Sequence, residues 1–185
     1  MHHPLRTSLA SFAAGTILFV AAVPSAQVPG PSPTLNGTWR LDGSVEDART
    51  TVQAAVNPAV APLTPDVQRM ARARIRESTG IPSQIVIQAS PERMRLEISG
   101  EDAHVFEGAP GESQNVYSRS GVRAQLTQTY RPDGGIEQRF RTLDGTQWNF
   151  YTPQPDGQRL YLDVLMRSQR LARDIRFRLS FSRAG

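Results

Sequence analysis

The fold of this chain is decided near its C-terminus, by the stretch Asp174–Ser182, which reads Asp-Ile-Arg-Phe-Arg-Leu-Ser-Phe-Ser. Apolar residues alternate strictly with polar ones along it. Successive side chains of a β-strand point to opposite faces, so this pattern puts one face on a core and the other in water. The stretch therefore predicts a half-buried antiparallel strand.

The same period of two extends back to Gln84 and predicts a series of strands. Besides 175–181, the runs are 84–88, 93–99, 103–107, 114–119, 122–131, 136–142, 147–152 and 159–166. Turn sequences such as Asp144-Gly145 and Asp156-Gly157 separate them, and short gaps make neighbouring strands antiparallel. A meander of nine or ten strands tends to close on itself, because open sheet edges invite aggregation.

The segment between the first strand and Gln84 has a helical pattern instead. Ser44 and Asp47 resemble a capping box, and Asn57-Pro58 should stop or kink the helix that follows. Thr64-Pro65 starts a second helix, whose apolar stripe is expected to face the core. The stripe consists of Val67, Met70, Ala71 and Ile75. We therefore expect a helical hairpin over 44–79, inserted after the first strand.

The first strand carries a motif that resembles a known family. Gly37-Thr38-Trp39, on a strand that reads Gly-Thr-Trp-Arg-Leu, is similar to the opening of lipocalin-like (calycin) barrels and of small exported bacterial lipocalin-like domains. The resemblance covers 36–183 and implies a mainly β fold. It would be an antiparallel meander closed into a barrel of about 8–10 strands with the hairpin inserted.

In that family the Trp closes the barrel floor and an Arg of the last strand packs across its ring. The resemblance gives Trp39 this role and makes Arg176, Arg178 and Arg183 the candidates for its partner, with cation–π attraction as the physical reason. The alternative is that Trp39 is an ordinary core aromatic.

The N-terminus predicts export. Residues 1–26 read as a signal peptide, with Arg6 before an uncharged apolar run, Leu9–Val23, and small residues around Ser25-Ala26. An uncleaved N-terminal anchor is the alternative. The Pro-rich residues 27–35 follow as a linker and 36–185 as the β domain. We expect a periplasmic or secreted protein that manages without disulfides, since the chain has no Cys.

Several kinds of chemistry find no support in the sequence. One His beyond the signal, His104, and no Cys exclude the common nitrogen and sulfur metal sites, and no phosphate-binding loop occurs. The net charge of +4 is spread along the chain, which argues against nucleic acid. An enzyme would have to use His104, Asp163 or Glu137 for proton transfer. The sequence therefore predicts a non-enzymatic protein without a cofactor or metal.

Two groups of residues are candidates for binding. Arg69, Arg72 and Arg76 share a helical face that is either an anion or partner patch or an ordinary solvated surface. Inward-facing residues of the strands are candidates for a ligand cavity, and the alternative is a filled, dry core in which the amides bond each other. The cavity candidates are Met94, Gln128, Tyr130, Gln138, Phe140, Tyr151, Leu162, Met166 and Phe177.

The resemblance and these residues together suggest an exported module that binds a small apolar or amphipathic ligand without catalysis. The alternative is an interaction module with a filled barrel core, which docks an envelope protein or anionic lipid. No integral membrane span is expected after removal of the signal.

Overall fold

The structure is a computed structural model that describes residues 29–118 and 121–185. The predicted signal peptide, 1–26, lies outside the described residues. Ten strands and two helices follow along the chain: β1 Gly37–Leu41, α1 Val45–Val60, α2 Pro65–Ser78, β2 Pro82–Ala89, β3 Met94–Gly100, β4 His104–Gly108, β5 Ser113–Tyr117, β6 Arg123–Tyr130, β7 Ile136–Arg141, β8 Thr146–Pro153, β9 Arg159–Arg167 and β10 Ile175–Arg183.

One antiparallel sheet contains all ten strands and curls around a shared core. Its strand order is β4-β3-β2-β1-β10-β9-β8-β7-β6-β5, so the first strand lies between the last strand and β2. The edge strands β4 and β5 are joined by a short connection and leave a seam between them. A hydrogen bond from Gln114 Nε2 to the Glu107 carbonyl, 3.2 Å long, crosses this seam. The prediction of a mainly β meander with a helical hairpin after the first strand is confirmed.

Helix α1 is fixed at its start and packs closely on the barrel. The Ser44 hydroxyl accepts from the Asp47 amide at 3.1 Å, and the Asp47 carboxylate accepts from the Ser44 amide at 3.3 Å, which confirms the capping box. Of the two predicted effects of Asn57-Pro58, a stop or a kink, the stop is wrong, because α1 continues to Val60. Pro58 lies in its last turn, where Ala59 and Val60 are fully buried and hold the helix in place.

Helix α2 is much less buried. It starts with Pro65 in its first turn, as the sequence predicts, but only Ile75 of the expected apolar stripe is buried. Val67 and Met70 are exposed to 41% and 57%, because the face that carries them points away from the barrel. Neither described helix is long and apolar enough to cross a bilayer.

The barrel has two different ends. At the helix end, β1 leads into α1, and the two helices are tied to turns on opposite sides of the barrel. Arg49 pairs with Glu101 in the turn between β3 and β4, and Arg74 lies 3.4 Å from Asp144 in the turn between β7 and β8. The opposite end, where β1 begins, is the closed end.

The N-terminal segment seals the closed end. Leu35 is fully buried, and the Ser32 amide donates to the Gly134 carbonyl at 2.8 Å. Asn36 exchanges hydrogen bonds with the backbone of Ala89, at 2.9 and 2.7 Å. The predicted linker, 27–35, therefore needs correction, because its residues from Ser32 onward pack as part of the domain.

Candidate functional site

Trp39 and Arg183 form a plug at the closed end. Trp39 is fully buried and donates from its indole nitrogen to the Leu35 carbonyl at 3.1 Å. The Arg183 guanidinium lies over the indole, 4.4 Å from the ring centroid. Gly37 has a φ of +146°, and a Cβ at this position would collide with the guanidinium. The Gly-x-Trp motif therefore leaves space for the Arg that covers the ring.

Arg183 is held from several sides at once. Its nitrogens donate to the carbonyls of Gly157 at 2.6 Å, Asn36 at 2.9 Å and Thr34 at 2.6 Å. These carbonyls belong to the turn between β8 and β9 and to the N-terminal segment. The guanidinium therefore fastens the segment that seals the closed end.

Arg176 and Arg178, the other two candidates for the ring contact, lie elsewhere. Both point to the outer face of β10. Arg178 pairs with Asp163 through two hydrogen bonds of 2.7 and 2.9 Å and lies over the Tyr161 ring, while Arg176 lies 3.4 Å from Asp174. This corrects their assignment to the barrel floor, which belongs to Arg183 because the register pairs Trp39 with Arg183.

All nine candidate cavity residues face the barrel interior. Met94, Gln128, Tyr130, Gln138, Tyr151 and Leu162 are buried, whereas Phe140, Met166 and Phe177 keep part of their surface accessible. The three accessible residues lie towards the helix end. The inward side chains are therefore buried near the closed end and partly accessible towards the helix end.

We call this partly accessible part of the interior the helix-end recess. It comprises the half-buried inward residues near the helix end: Ile98, His104, Phe140, Gln147, Met166 and Phe177. The register places Phe140 opposite Gln147 and Gln147 opposite Met166, so they lie at one level across three strands. The Phe106 ring lies between His104 of β4 and Phe140 of β7. It is stacked on the His104 ring and edge-on to the Phe140 ring, with 5.5 Å between ring centroids in both cases.

A row of neutral polar side chains lies at and below the recess. Gln147 donates to Asn149 at 2.9 Å, Gln138 donates to Gln128 at 2.9 Å, and the Tyr151 hydroxyl donates to Gln138 at 3.0 Å. Across the described residues, no buried side-chain nitrogen or oxygen lacks a partner. The sequence left open a ligand cavity or a filled core in which the amides bond each other. The deeper amides do bond each other, whereas Gln147 borders the accessible recess.

Burial affects two inward-facing tyrosines, Tyr151 of this row and Tyr130 near the closed end. Tyr151 is fully buried, and removal of its hydroxyl from water raises its pKa, against a smaller lowering by a hydrogen bond from Asn149. Burial, with the charge of Glu92, raises the pKa of Tyr130 to about 12. Tyr130 donates to the Ser90 carbonyl at 2.5 Å. Both hydroxyls are therefore protonated hydrogen-bond donors over the physiological range.

Two open grooves lie on the outside of the barrel. One has a volume of about 570 Å³ and crosses β8, β9 and β10, and its lining includes Phe150, Leu165 and part of Phe177. Its arginines are paired: Arg131 lies 2.8 Å from Asp133, and Arg178 pairs with Asp163. The other, of about 910 Å³, lies along β2 and β3. Neither groove is the predicted internal cavity.

The predicted anion patch on α2 is exposed but partly engaged. Arg69 pairs with Asp66, and Arg72 donates to the side-chain oxygen of Asn57 on α1. The helix end also exposes apolar side chains, with Leu143 in the turn between β7 and β8 fully exposed. They are Val67, Met70, Tyr117, Val122 and Leu143.

The candidates for proton transfer are not assembled. His104 faces inward and stacks on Phe106, whereas Asp163 and Glu137 face outward. None of the described carboxylates is buried, and the described residues hold no cluster of His, Asp and Glu side chains that could bind a metal ion. Gln147 and Asn149 are interior residues that were not among the predicted candidates, although the alternation from Tyr151 back along β8 points to both.

Comparison with solved structures identifies the fold. Similar structures include fatty-acid-binding protein 1 of Echinococcus granulosus (TM-score 0.53, 9% identity, 83% of this chain and 100% of that chain). Another is a Schistosoma mansoni fatty-acid-binding protein in complex with arachidonic acid (TM-score 0.52, 10% identity, 84% and 100%). A third is lipid binding protein 8 of Caenorhabditis elegans without ligand (TM-score 0.52, 10% identity, 83% and 99%).

These likenesses concern the fold alone, because the sequence identities are so low. No protein-family model matches the chain, and no curated protein sequence does. The predicted calycin-type barrel is confirmed at this level, with fatty-acid-binding proteins as its structural neighbours.

Proposed function

We propose that this chain is a non-catalytic binding protein that takes a small apolar or amphipathic ligand into the helix-end recess. The observation that carries the proposal is the difference between the two ends of the barrel. Trp39, Arg183 and Leu35 seal the closed end, whereas apolar inward side chains beneath the helices remain accessible to water. Apolar surface left accessible inside a concave fold is typical of ligand sites.

The wall of the recess suits an alkyl chain. Phe140, Met166 and Phe177 provide aromatic and thioether surface from three strands. A buried methylene group contributes roughly 0.8 kcal/mol of transfer free energy, so a chain of a few carbons gains appreciable affinity. The fold supports the same proposal, because its structural neighbours include a protein solved with arachidonic acid.

Adjacent residues on opposite faces of β9 give a matched test. Met166 faces the recess, and Leu165 faces the outer groove. Met166→Trp should fill the recess and weaken binding of the uncharged dye Nile red by about tenfold or more, whereas Leu165→Trp should leave it unchanged. Fluorescence titration measures both. A loss confined to Leu165→Trp would move the site to the outer face and contradict the proposal.

We also propose that the protein acts outside the cytoplasm, in the periplasm or secreted. The support is the apolar stretch Leu9–Val23 after Arg6, with small residues at Ser25-Ala26. N-terminal sequencing of the protein from fractionated cells tests this. A mature chain that starts near Gln27 in the periplasmic or extracellular fraction is the expected result, and an intact chain in the cytoplasm would contradict it.

A second candidate function is docking through the helix end. Val67, Met70 and Leu143 are exposed beside the arginines of α2, and such a patch is suited to a partner protein or an anionic lipid surface. Sedimentation with vesicles of phosphatidylglycerol or of phosphatidylcholine distinguishes lipid docking. Binding to the former only, lost in Met70→Glu, would support it, and no binding to either would remove anionic lipid as the partner.

A further inference from the structure

We propose that the helix-end recess selects uncharged ligands, namely alkyl chains that carry a hydroxyl, ester or amide head group rather than a carboxylate. This inference rests on the proposed function and narrows its ligand class. It runs against the simplest expectation from the fold, whose neighbours bear the name of fatty acids.

The inward positions of the described strands offer no free arginine or lysine. Among the described strand residues, the inward positions hold no Asp, Glu or Lys, and their one Arg is Arg183. Its guanidinium is engaged by the Trp39 ring and by three backbone carbonyls at the closed end. The strand arginines other than Arg183 alternate to the outer face, as Arg176 and Arg178 do. A carboxylate in the recess would therefore find no free arginine on the strands that form its wall.

The inward face does offer neutral hydrogen-bonding groups. Gln147 and Asn149 come first from the helix end, and Gln138, Gln128 and Tyr151 follow at greater depth. Gln138 donates to the Gln128 amide oxygen and accepts from the Tyr151 hydroxyl, so these groups already bond each other. Amides and hydroxyls both donate and accept, and they can exchange a bond within the row for one to a ligand hydroxyl or amide.

The difference in desolvation decides between the two head groups. A carboxylate taken out of water without a counter-charge carries a large penalty, which hydrogen bonds from neutral amides offset only in part. A hydroxyl or amide carries a much smaller penalty, and a single good hydrogen bond offsets most of it. With equal chains, the recess should prefer the neutral ligand by about tenfold or more.

A series with one chain length tests this on the whole mature protein. Dodecan-1-ol, dodecanamide and dodecanoate are each titrated against bound Nile red at pH 8. The two neutral ligands should displace the dye at concentrations about tenfold or more below those for dodecanoate. Dodecanoate that competes equally well or better would overturn the inference and leave the proposed function intact. If Nile red itself does not bind, the proposed function falls and the inference with it. If the dye binds and none of the three displaces it, the inference alone is overturned.

Variants locate the head group. Gln147→Met and Asn149→Leu should each weaken dodecanamide by about threefold or more, because they remove an interior amide but keep the apolar volume similar. Gln125→Met on the outer face of β6 is the matched control and should change nothing. Equal affinities in all three variants would overturn the inference. So would dodecanoate binding that is lost in His104→Gln, since the imidazole would then provide the missing counter-charge.

Discussion

Replacement of Arg183 by Met should destabilise the protein far more than any other single substitution of a β10 arginine. The change removes two hydrogen bonds to the part-buried carbonyls of Gly157 and Thr34, one to the more exposed Asn36, and the cation–π contact with Trp39. Each of the two part-buried bonds contributes about 1 kcal/mol net, since water replaces them incompletely. The ring contact adds about 0.5–1 kcal/mol, so the total loss is about 3 kcal/mol.

Urea unfolding followed by far-UV circular dichroism measures this loss. The midpoint should fall while the m-value stays the same, because the folded state remains equally compact. Arg176→Met is the matched control: this exposed side chain has one contact of 3.4 Å, to Asp174, and its loss should cost less than about 0.5 kcal/mol. The tryptophan emission should change in Arg183→Met only.

Two results would refute the reasoning. One is a loss below about 1 kcal/mol for Arg183→Met, which would mean that the closed end is held without the guanidinium. The other is an equal loss for both variants, which would mean that any positive charge on β10 has the same effect.

Three further predictions concern stability. Ser44→Ala should lower the free energy of unfolding by about 1 kcal/mol, because it removes the cap of α1. The Ser44 hydrogen bonds lower the pKa of Asp47, so their contribution should be present above about pH 4 and be lost as the pH falls through the folded-state pKa. Thermal melts at pH 7 and pH 2 measure both effects. Tyr151→Phe should reduce the fall in the free energy of unfolding at high pH. Burial raises the pKa of Tyr151, so the stability that its protonated hydroxyl contributes is present below about pH 10 and is lost as the pH rises through the raised pKa. Urea midpoints between pH 8 and pH 11 test this. Gln138→Leu should cost about 2–4 kcal/mol in urea unfolding, because it leaves the Gln128 amide oxygen and the Tyr151 hydroxyl buried without their partner, and a cost below about 1 kcal/mol would show that water enters the row.

Much of the fold could be predicted from local patterns. Alternation from Gln84 onward identified the strands, since one buried face imposes a period of two. The turn sequences set the antiparallel order, and Ser44 with Asp47 marked the start of α1. These features depend on residues close to each other in the chain.

The features that the sequence did not reveal depend on distant contacts. Three arginines near the end of the chain could have covered Trp39, and only the register between β1 and β10 selects Arg183. Helical spacing grouped Met70 with Ile75, but the placement of α2 on the barrel buries only the latter. Alternation also identifies inward residues without telling which remain accessible, so the recess could not be located before the two ends were known.

Methyl NMR of the Met-labelled protein, titrated with dodecan-1-ol, tests the central claim most directly. Three methionines report on three places: Met166 in the helix-end recess, Met94 buried near the closed end, and Met70 exposed on α2. The binding account predicts that the Met166 methyl resonance shifts with saturation, while those of Met94 and Met70 change little. Saturable shifts of Met70 with Met166 unmoved would contradict it and assign the contact to the outer surface of the helices.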